Sequence, residues 1–435
     1  SYSAVILKRD QLLLIPRNRS GMLMRNLSIK FIKKLSTSCR KSRRLFPPQQ
    51  KLRNKGNKTV TYQTINGPVQ FTRKIYWSSQ TGMVAPADVW LGITDNRYSP
   101  GLREMVCRLS INDAFVPASS NLKRLAQVTI SSSSVRGIVE NQGKRILAQQ
   151  SSGDFSVGFT AEDFTANTLI TGVDGVMVPH VSQEQKDKRR QTEKAKRKRQ
   201  CRKSTAKRGR PKKGADGAYK EFKIVSFYDS DKKHQHVAGT RGNHQKLGKL
   251  MRREACKLKL DRAERKYSVT DGADWILSQY KQQLPMLDEN ILDYYHFRDH
   301  VVKTSHVLYG EGTEESVSWR DEMMSVAWEQ GSLVFLDRLS EKYKTLRSQP
   351  KRKAVRSLQK YVATRVDMTD YPSFRAKGYD CGSGPTESFC GCLTRRLKGR
   401  GMRWDSDNAE AVMAIASVYY TSQWKRYWKA EKDAA

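Results

Sequence analysis

A nearly continuous apolar run from Leu169 to Val178 is the feature that most restricts how this chain can fold. Asp174 is the single ionisable residue within it, and Gly175 follows directly. Such a run is typical of a strand at the centre of a sheet that is covered on both faces. An unpaired carboxylate is costly to bury there. Asp174 is therefore either a hydrogen-bonded residue at a bulge or a ligand-binding residue, and the glycine would let a ligand approach the backbone.

Two further carboxylates stand in short glycine-containing motifs. Asp271 ends the strand-like run Tyr267–Thr270, and Glu387 lies in Gly382-Ser-Gly-Pro-Thr-Glu-Ser388. We expect Gly384 to cap a helix that begins at Pro385, so that the positive helix end favours an ionised Glu387. Taken alone, Asp271 could be an ordinary aspartate in a turn and Glu387 an ordinary glutamate at the start of a helix. Brought together with Asp174, they would need a cation to remain ionised, as in two-metal phosphoryl transfer.

The order of predicted elements indicates an α/β domain. Strands are expected at Leu169–Val178, Tyr219–Tyr228, Gln235–Thr240 and Lys266–Thr270, with a last strand or strand end at Ile291–Phe297, and helices at Asn243–Leu260 and Trp275–Gln283. This β-β-β-α-β-α-β order is that of a ribonuclease-H-like domain, in which the first and fourth strands are neighbours. Residues 298–372 are charged and helical, as in an insertion, and closing helices are expected at Pro385–Lys398 and Asn408–Trp428.

The region before this domain predicts a hairpin and a helical pair. Val60–Ile65 and Val69–Tyr76 alternate apolar and polar residues around Asn66-Gly-Pro68. Asn112–Ala126 and Ser131–Leu147 have helical periodicity and a short connection, which fits a helix-turn-helix. Arg136 would then contact phosphates or base edges. An ordinary helical hairpin that packs against a neighbour is the alternative.

Basic residues are concentrated in two segments of a chain whose net charge is +38. Residues 1–60 contain 16 Lys and Arg against one acid, and residues 186–213 contain 16 against two. Such segments favour polyanions. Lys207, Arg208 and Arg210 belong to a Lys-Arg-Gly-Arg-Pro string that resembles an AT-hook, whose arginines enter a narrow A·T minor groove. Unspecific phosphate binding by the whole run is the alternative.

The segment after Glu387 predicts further DNA contacts. Arg395 and Lys398 fall on the helical stripe that begins at Glu387, and Arg400 and Arg403 follow in a glycine-containing loop. A phosphate backbone could pass along these cations. Trp404 at the end of the loop either stacks on an unpaired base or belongs to the core.

Histidines and cysteines give no clear zinc pattern. His296 and His300 are spaced like a metal pair, but no companion Cys or His stands near them. We interpret Asp293 and His296 as residues that support the carboxylate site or contact a phosphate; satisfied histidines beside the core are the alternative. The seven cysteines include no CxxC pair, which favours a reduced intracellular setting. No apolar run reaches the roughly 20 residues that span a bilayer.

Together these motifs resemble bacterial insertion-sequence transposases of the DDE type, closest to the Kra group, which is related to the Mutator-like superfamily. The resemblance covers roughly residues 55–430 and is carried by Val173-Asp-Gly-Val-Met-Val-Pro179, Thr270-Asp-Gly272, Asp293-Tyr-Tyr-His296, Gly382–Ser388 and Arg396-Leu-Lys-Gly-Arg-Gly-Met-Arg-Trp404. It implies a catalytic triad of Asp174, Asp271 and Glu387 that holds Mg²⁺ or Mn²⁺, with Asp293 and His296 as an accompanying signature. Relatives often carry a CxxC pair after the hairpin; the segment 76–83 has no cysteine, so we expect no zinc there.

The resemblance implies an enzyme that binds terminal inverted repeats, cleaves DNA at transposon ends and joins them to target DNA. Its partners would be double-stranded DNA and at least one more copy of the chain, without a membrane, in the bacterial cytoplasm and nucleoid or in a eukaryotic nucleus. The alternatives are a transposase-derived DNA-binding protein that no longer cuts, and a nuclease for RNA or RNA–DNA hybrids.

The expected layout is a multidomain α/β chain. It comprises a basic extension (1–55), a hairpin and helix-turn-helix DNA-binding region (56–160), a first catalytic part (165–310) with a basic insertion (181–217), a helical insertion (311–372) and final catalytic helices (373–435).

Overall fold

The computed structural model describes residues 53–80, 82–90, 97–200 and 213–433, which fall into two compact units. The first unit contains the residues up to Ala148 and also residues 423–435; the second contains residues 149–422. The sequence places 423–435 with the catalytic helices, so this boundary differs from the prediction. Most of the expected 1–55 extension, and the AT-hook residues Lys207, Arg208 and Arg210, lie outside the described residues.

The predicted hairpin is present in the first unit and is longer than expected. Strands β1 (Arg53–Thr64) and β2 (Gly67–Ser78) pair antiparallel, and β3 (Gly82–Val84) pairs with β2. Thr64 faces Gly67 in the register, so residues 65–66 form the turn and Gly67-Pro68 already belong to β2. In β2 the side chains of Val69, Phe71 and Ile75 are buried while their neighbours at 70, 72 and 74 are exposed, as the alternation predicts.

The helices of the first unit begin with α1 (Pro86–Trp90), α2 (Pro100–Ser110), α3 (Phe115–Ala126) and α4 (Ser132–Ser152). Helix α3 ends where Gln127 adopts a left-handed conformation with φ 55°. Ser131 caps α4 as predicted, because its Oγ accepts the Ser134 N–H at 3.2 Å. The helical pair is therefore observed. Helix α3 begins three residues later than expected, and α4 ends five residues later than expected.

The second unit contains a mixed five-stranded sheet within its described residues. Its strands are β4 (Thr168–Pro179), β5 (Tyr219–Tyr228), β6 (Gln235–Thr240), β7 (Arg265–Thr270) and β8 (Glu289–Leu292), in the order β6-β5-β4-β7-β8. β4 is antiparallel to β5 and parallel to β7, while β5–β6 is antiparallel and β7–β8 is parallel. This topology is compatible with a ribonuclease-H-like fold, and β4 and β7 are neighbours as predicted.

Helices surround this sheet. They are α5 (Gln183–Arg199), α6 (His244–Lys257), α7 (Asp274–Gln283), α8 (Tyr294–Tyr309), α9 (Glu314–Glu329), α10 (Ser332–Thr345), α11 (Gln349–Ala363), α12 (Tyr371–Ala376), α13 (Gly384–Thr394) and α14 (Ser406–Tyr419). Residues 294–297, predicted as strand, open α8 because the Asp293 side chain caps that helix. The two closing helices are shorter than predicted, since α13 stops at Thr394 and α14 at Tyr419.

The two faces of β4 contact different helices. Leu169 and Val173 pack with residues of α6 and α7, such as Leu247 and Ile276, in one core cluster. Ile170 belongs to a second cluster with Val269 of β7 and residues of α8–α12. Because side chains alternate along a strand, residues 170, 172 and 174 share the second face. None of the helices within the described residues combines the length and apolar character that crossing a membrane requires.

The last helix, α15 (Trp424–Asp433), is held by a buried polar network of the first unit. Glu431 accepts hydrogen bonds from Arg103 (3.0 Å) and Gln142 (3.3 Å), and the Arg145 guanidinium lies 3.0 Å away. Leaving the buried Arg103 charge without this carboxylate would be costly, which explains why residues 423–435 return to this unit. The predicted single helix Asn408–Trp428 missed this break.

A second buried network stabilises the edge of the main sheet. Glu254 on α6 is fully buried and accepts from His236 Nε2 at 2.9 Å, Arg253 at 3.0 Å and Lys257 at 3.2 Å. Burial alone would raise the pKa of Glu254. The hydrogen bond and charge of His236, with Lys257 and Arg253, outweigh burial and lower this pKa to about 2. The ionised glutamate therefore stabilises the packing of α6 on β6.

We expect Glu254→Gln to lower the unfolding free energy of the second unit by about 1.5–3 kcal/mol at pH 7, because charged hydrogen bonds are lost. A folded pKa below the unfolded value gives stabilisation that is complete above pH ~4.3 and lost as pH falls toward 2. The deficit of the variant should therefore be constant above pH ~5 and shrink below pH ~4. Hydrogen exchange of β5 and β6 amides in urea measures it; a deficit that grows on acidification would contradict this assignment.

Candidate active site and nucleic-acid contacts

Two of the three predicted carboxylates belong to neighbouring parallel strands: Asp174 lies in β4, and Asp271 directly follows the last residue of β7. Thr171 of β4 pairs with Ser268 of β7, and Asp174 and Asp271 each lie three residues further along. Asp271 follows Val269 by two residues, so it faces the same side as Val269 and Ile170. Asp174 faces that side as well. The pleat and register of the sheet thus place both aspartates on one face, near the end of β7.

Helix α13, which carries Glu387, approaches this face very closely at Gly172. A Cβ at Gly172 would overlap the Thr386 hydroxyl, so a larger residue would push the helix away. Ser226 of β5 shares a 2.8 Å hydrogen bond with Thr386 Oγ1 and donates to the Gly172 carbonyl at 3.3 Å. One turn later, the Cys390 thiol lies near Asp174: burial, the larger cause, raises the pKa of that thiol, and the Asp174 carboxylate helps to raise it. The helix therefore runs along β4, with Thr386 over Gly172 and Cys390 at Asp174.

Glu387 lies next to Thr386 and is the fourth residue of α13 rather than the third. Ser383 precedes the helix, and the Glu387 N–H donates to the Ser383 carbonyl at 3.1 Å, whereas Gly384 was the predicted cap. Ser383 Oγ also donates to Glu387 Oε1 at 3.1 Å. His296 Nε2 lies 3.7 Å from the same oxygen, and both side chains are about half exposed. The Glu387 side chain is thus contacted by Ser383, at the start of its own helix, and by His296 of α8.

Asp293 joins three segments of the site and is almost fully buried. Its Oδ1 accepts the His296 N–H at 2.7 Å, which caps α8, and its Oδ2 accepts the Ser383 N–H ahead of α13. Its own N–H donates to the Thr270 carbonyl at 2.7 Å, one residue before Asp271. Asp293 therefore fixes the starts of α8 and α13 relative to the end of β7, and it does not face solvent as a ligand would.

The charges of this region act on one another. Burial raises the pKa of Asp271, and the nearby Asp174 and Asp293 carboxylates raise it further. The hydrogen bond from the Ala273 N–H and the charge of His296 lower the same pKa. Burial also raises the pKa of the Cys390 thiol, as do Asp174 and Glu387, while Lys398 lowers it. These mutual influences indicate that Asp174, Asp271 and Glu387 belong to one electrostatic neighbourhood.

The donor chemistry of this neighbourhood suits a hard divalent cation, because three carboxylates are the ligands that Mg²⁺ and Mn²⁺ prefer. In the part of the chain that the structure describes, however, no three Asp, Glu, His or Cys side chains converge as a ready-made metal site. Each carboxylate has a protein donor instead: Gly175 N–H to Asp174 at 2.6 Å, Ala273 N–H to Asp271 at 2.9 Å and Ser383 to Glu387. Like charges without a cation repel one another and favour such separate partners.

The sequence did not single out Tyr361 and Arg365, which bring the end of α11 to the turn after Asp271. Arg365 donates twice to the Gly272 carbonyl, at 3.1 and 3.0 Å, and once to Asp274 at 2.8 Å. Its guanidinium lies 4.3 Å from the centre of the Tyr361 ring, which stacks on His300 at 3.8 Å. His300 is therefore packed against this ring and is not part of a metal pair with His296. No local motif would have revealed these contacts, because they join distant segments.

The predicted cations after Glu387 are available to a polyanion, whereas the tryptophan is not. Arg395, Lys398, Arg400 and Arg403 are all exposed. Trp404 is only 7% exposed, and its indole N–H donates to the Leu397 carbonyl at 3.1 Å. The Arg396 guanidinium lies 5.0 Å from its ring centre. Trp404 is thus a core residue, and its predicted role in base stacking is corrected by its burial.

Two other predicted DNA-binding regions are helical where they are described. Arg136 is the fifth residue of α4, is exposed and pairs with Glu140 at 2.6 Å. Helix α5 carries the first half of the basic run, begins with Ser182 as its cap and has no fully buried residue. Near the start of α5, Lys186 forms an ion pair with Asp405 at 2.6 Å. Both helices present cations to solvent.

Comparison with known proteins leaves the family open: no protein-family model matches this chain, and neither does any curated protein. Function is therefore inferred from the residues and geometry described above.

We expect Gly172→Ala to displace α13 and to lower the unfolding free energy of the second unit by about 1–3 kcal/mol, as overpacking does. Urea unfolding with hydrogen exchange of α13 amides measures the change. Thr386→Ala in the same chain should recover part of the loss by removing the overlapping hydroxyl. As a matched control, Gly391→Ala adds a methyl group to α13 where nothing lies within 4 Å, and should stabilise slightly. Equal effects of the two alanines would show that the close approach is unimportant.

Proposed function

We propose that the second unit is a ribonuclease-H-like catalytic domain and that the chain is a DNA transposase of the DDE type. It would bind terminal inverted repeats, cleave DNA at the transposon ends and transfer the strands to target DNA. The observation that carries this proposal is the placement of Asp174 and Asp271 on one face of adjacent parallel strands, under the helix that bears Glu387. Joining two ends requires two active sites, so we expect a dimer or larger assembly on DNA.

In this proposal, Asp174, Asp271 and Glu387 would hold Mg²⁺ or Mn²⁺. The bound metal would activate the attacking hydroxyl and stabilise charge on the leaving oxygen. Ser383 and His296 orient Glu387, and Asp293 keeps the helix starts in place.

The surrounding cations would hold the substrate. Arg395, Lys398, Arg400 and Arg403 would neutralise the phosphate backbone on one side of the carboxylates, where their exposure leaves them free to do so. Arg136 of the first unit and the cations of α5 would make additional contacts to DNA phosphates. Such contacts position the strand without reading its sequence.

A DNA-binding protein that no longer cuts is the second candidate. It is favoured by the absence, among the described residues, of three side chains that converge on a metal position. The two candidates differ in one measurable property, namely metal-dependent strand cleavage.

We expect Asp271→Asn to reduce strand cleavage about a thousandfold or more, because residues that act as one catalytic unit are not replaceable singly. DNA binding should not weaken and should change less than about threefold, because the substitution removes one negative charge and no cation that contacts phosphate. The substrates are end-labelled duplexes that tile the DNA flanking the coding sequence, with Mg²⁺, Mn²⁺ or EDTA.

Asp261→Asn is the matched control, since it removes an exposed carboxylate outside the site. Cleavage that persists in Asp271→Asn would remove this residue from the site. Wild-type binding without any cleavage would establish the second candidate, and preferential cleavage of RNA–DNA hybrid would establish a ribonuclease.

We expect the salt dependence of DNA binding to depend on α5. Replacing Arg189, Lys194, Lys196 and Lys198 by Gln removes four exposed cations. The slope of log K against log salt should fall by up to about 3–4, at about 0.9 per lost phosphate contact. A double variant with Glu184→Gln and Lys188→Gln leaves the net charge unchanged and serves as the control. An unaltered slope in the fourfold variant would show that α5 does not contact DNA.

A further inference from the structure

An exposed tyrosine stands beside the proposed active site and has no role in the function described so far. Tyr295 is 64% exposed, although it lies between buried or half-buried neighbours at the start of α8. The next residue, His296, reaches Glu387. Gly382, in the loop that leads to α13, lies beside the ring, since a Cβ there would be in ordinary contact with Tyr295 Cε2 at 3.8 Å.

The ring of Tyr295 packs against Tyr294, which belongs to a cluster of aromatic side chains. Tyr294 meets the Tyr295 ring edge to face, with ring centres 5.8 Å apart, and itself packs on Trp328 at 4.7 Å and Tyr371 at 5.5 Å. The Tyr294 N–H donates to the Cys381 carbonyl at 2.9 Å, and Asp293 caps the helix. The backbone that presents Tyr295 is therefore rigid, and little ordering would be needed to use the ring as a binding platform.

A cation accompanies the ring on the exposed side of α8. Arg298 lies three residues after Tyr295, so the two side chains are neighbours on the helix surface, and it is exposed. Asp299 lies on the same side, one position further. A flat aromatic ring next to a cation suits a nucleotide, whose base stacks while its phosphate meets the charge.

We propose that Tyr295 stacks on an unpaired base of the strand that enters the carboxylate site, with Arg298 at the adjoining phosphate. This inference rests on the proposed function and adds that the substrate at this point is a locally unpaired strand. Fully paired DNA offers no free base face, so Tyr295 would act where the duplex is opened next to the reacting phosphate. Trp404, for which the sequence left such a role open beside a core position, is buried and cannot supply it.

The test uses the full chain with Asp271→Asn, so that bound DNA is not cut. The probes are a 30-base-pair duplex with one bulged 2-aminopurine and the same duplex fully paired. Tyr295→Ala should weaken binding of the bulged duplex about 5- to 150-fold, the loss of one stacked base. Quenching of 2-aminopurine fluorescence should disappear, while affinity for the paired duplex should change less than about twofold.

Three variants separate stacking from other effects. Tyr295→Phe should behave like the parent, because stacking needs the ring and not the hydroxyl. Tyr295→Leu should behave like the alanine variant, because it keeps apolar bulk without a ring. Tyr219→Ala removes another exposed tyrosine, 59% exposed at the start of β5, and should leave binding of the bulged duplex unchanged.

The outcomes distinguish this inference from the proposed function. Unchanged affinity and quenching in Tyr295→Ala, or an equal loss in Tyr219→Ala, would overturn the stacking role while the transposase proposal stands. Failure of the parent chain to bind either duplex would instead overturn the proposed function. A loss in Tyr295→Ala that Phe restores and Leu does not would support the stacking role.

Discussion

The close contact between α13 and β4 at Gly172 is the constraint on which the site depends. A strand can receive a helix at this distance only where it has no side chain, and the two hydroxyls of Thr386 and Ser226 then satisfy one another at the buried interface. Because Thr386 is fixed, the neighbouring Glu387 has little freedom to leave the edge where Asp174 and Asp271 lie. The position of the third carboxylate is thus set by packing and hydrogen bonding, and not by attraction between the acids.

The connection between the sheet and the helices that follow it is equally specific. Asp293 holds the starts of two helices with one buried carboxylate and the end of β7 with its own N–H. Arg365 binds the Gly272 carbonyl in the turn after Asp271. Tyr361 adds to this connection: burial raises its pKa to about 12, so its hydroxyl stays neutral near Asp271 and Asp293. The residues predicted as a helical insertion therefore support the carboxylate edge directly, although their sequence shows only charge and helical periodicity.

Much of this architecture could be read from local sequence patterns. The strands at 219–228 and 235–240 have the predicted bounds, because their apolar runs end at clear polar or turn residues. The errors arose where a distant residue decides the structure. The Asp293 side chain caps α8, so a segment with a strand-like sequence becomes the start of a helix. The ion pair of Glu431 with Arg103 places the last helix in the first unit. Trp404 could not be assigned from its neighbours, since its burial follows from β4 and the loop after α13 meeting in space.

A polyanion that reaches a cluster of acids must overcome repulsion, and in the proposed transposase the separation of cations and acids in space would make this possible. Exposed cations lie after Glu387 and along α5, while Asp174 and Asp271 lie at the sheet face under α13. Positive charge elsewhere on the surface can attract DNA over about 8–10 Å at physiological salt. It does not cancel the repulsion between a phosphate and the acids over the last few ångströms. A divalent cation at the carboxylates would remove the remaining repulsion, and an uncharged aromatic contact such as Tyr295 would add affinity that salt does not weaken. In the proposed transposase, electrostatic attraction at a distance and neutral contacts at the reacting strand would therefore be complementary, and the distribution of Lys, Arg, Asp and Tyr along this chain would provide for both.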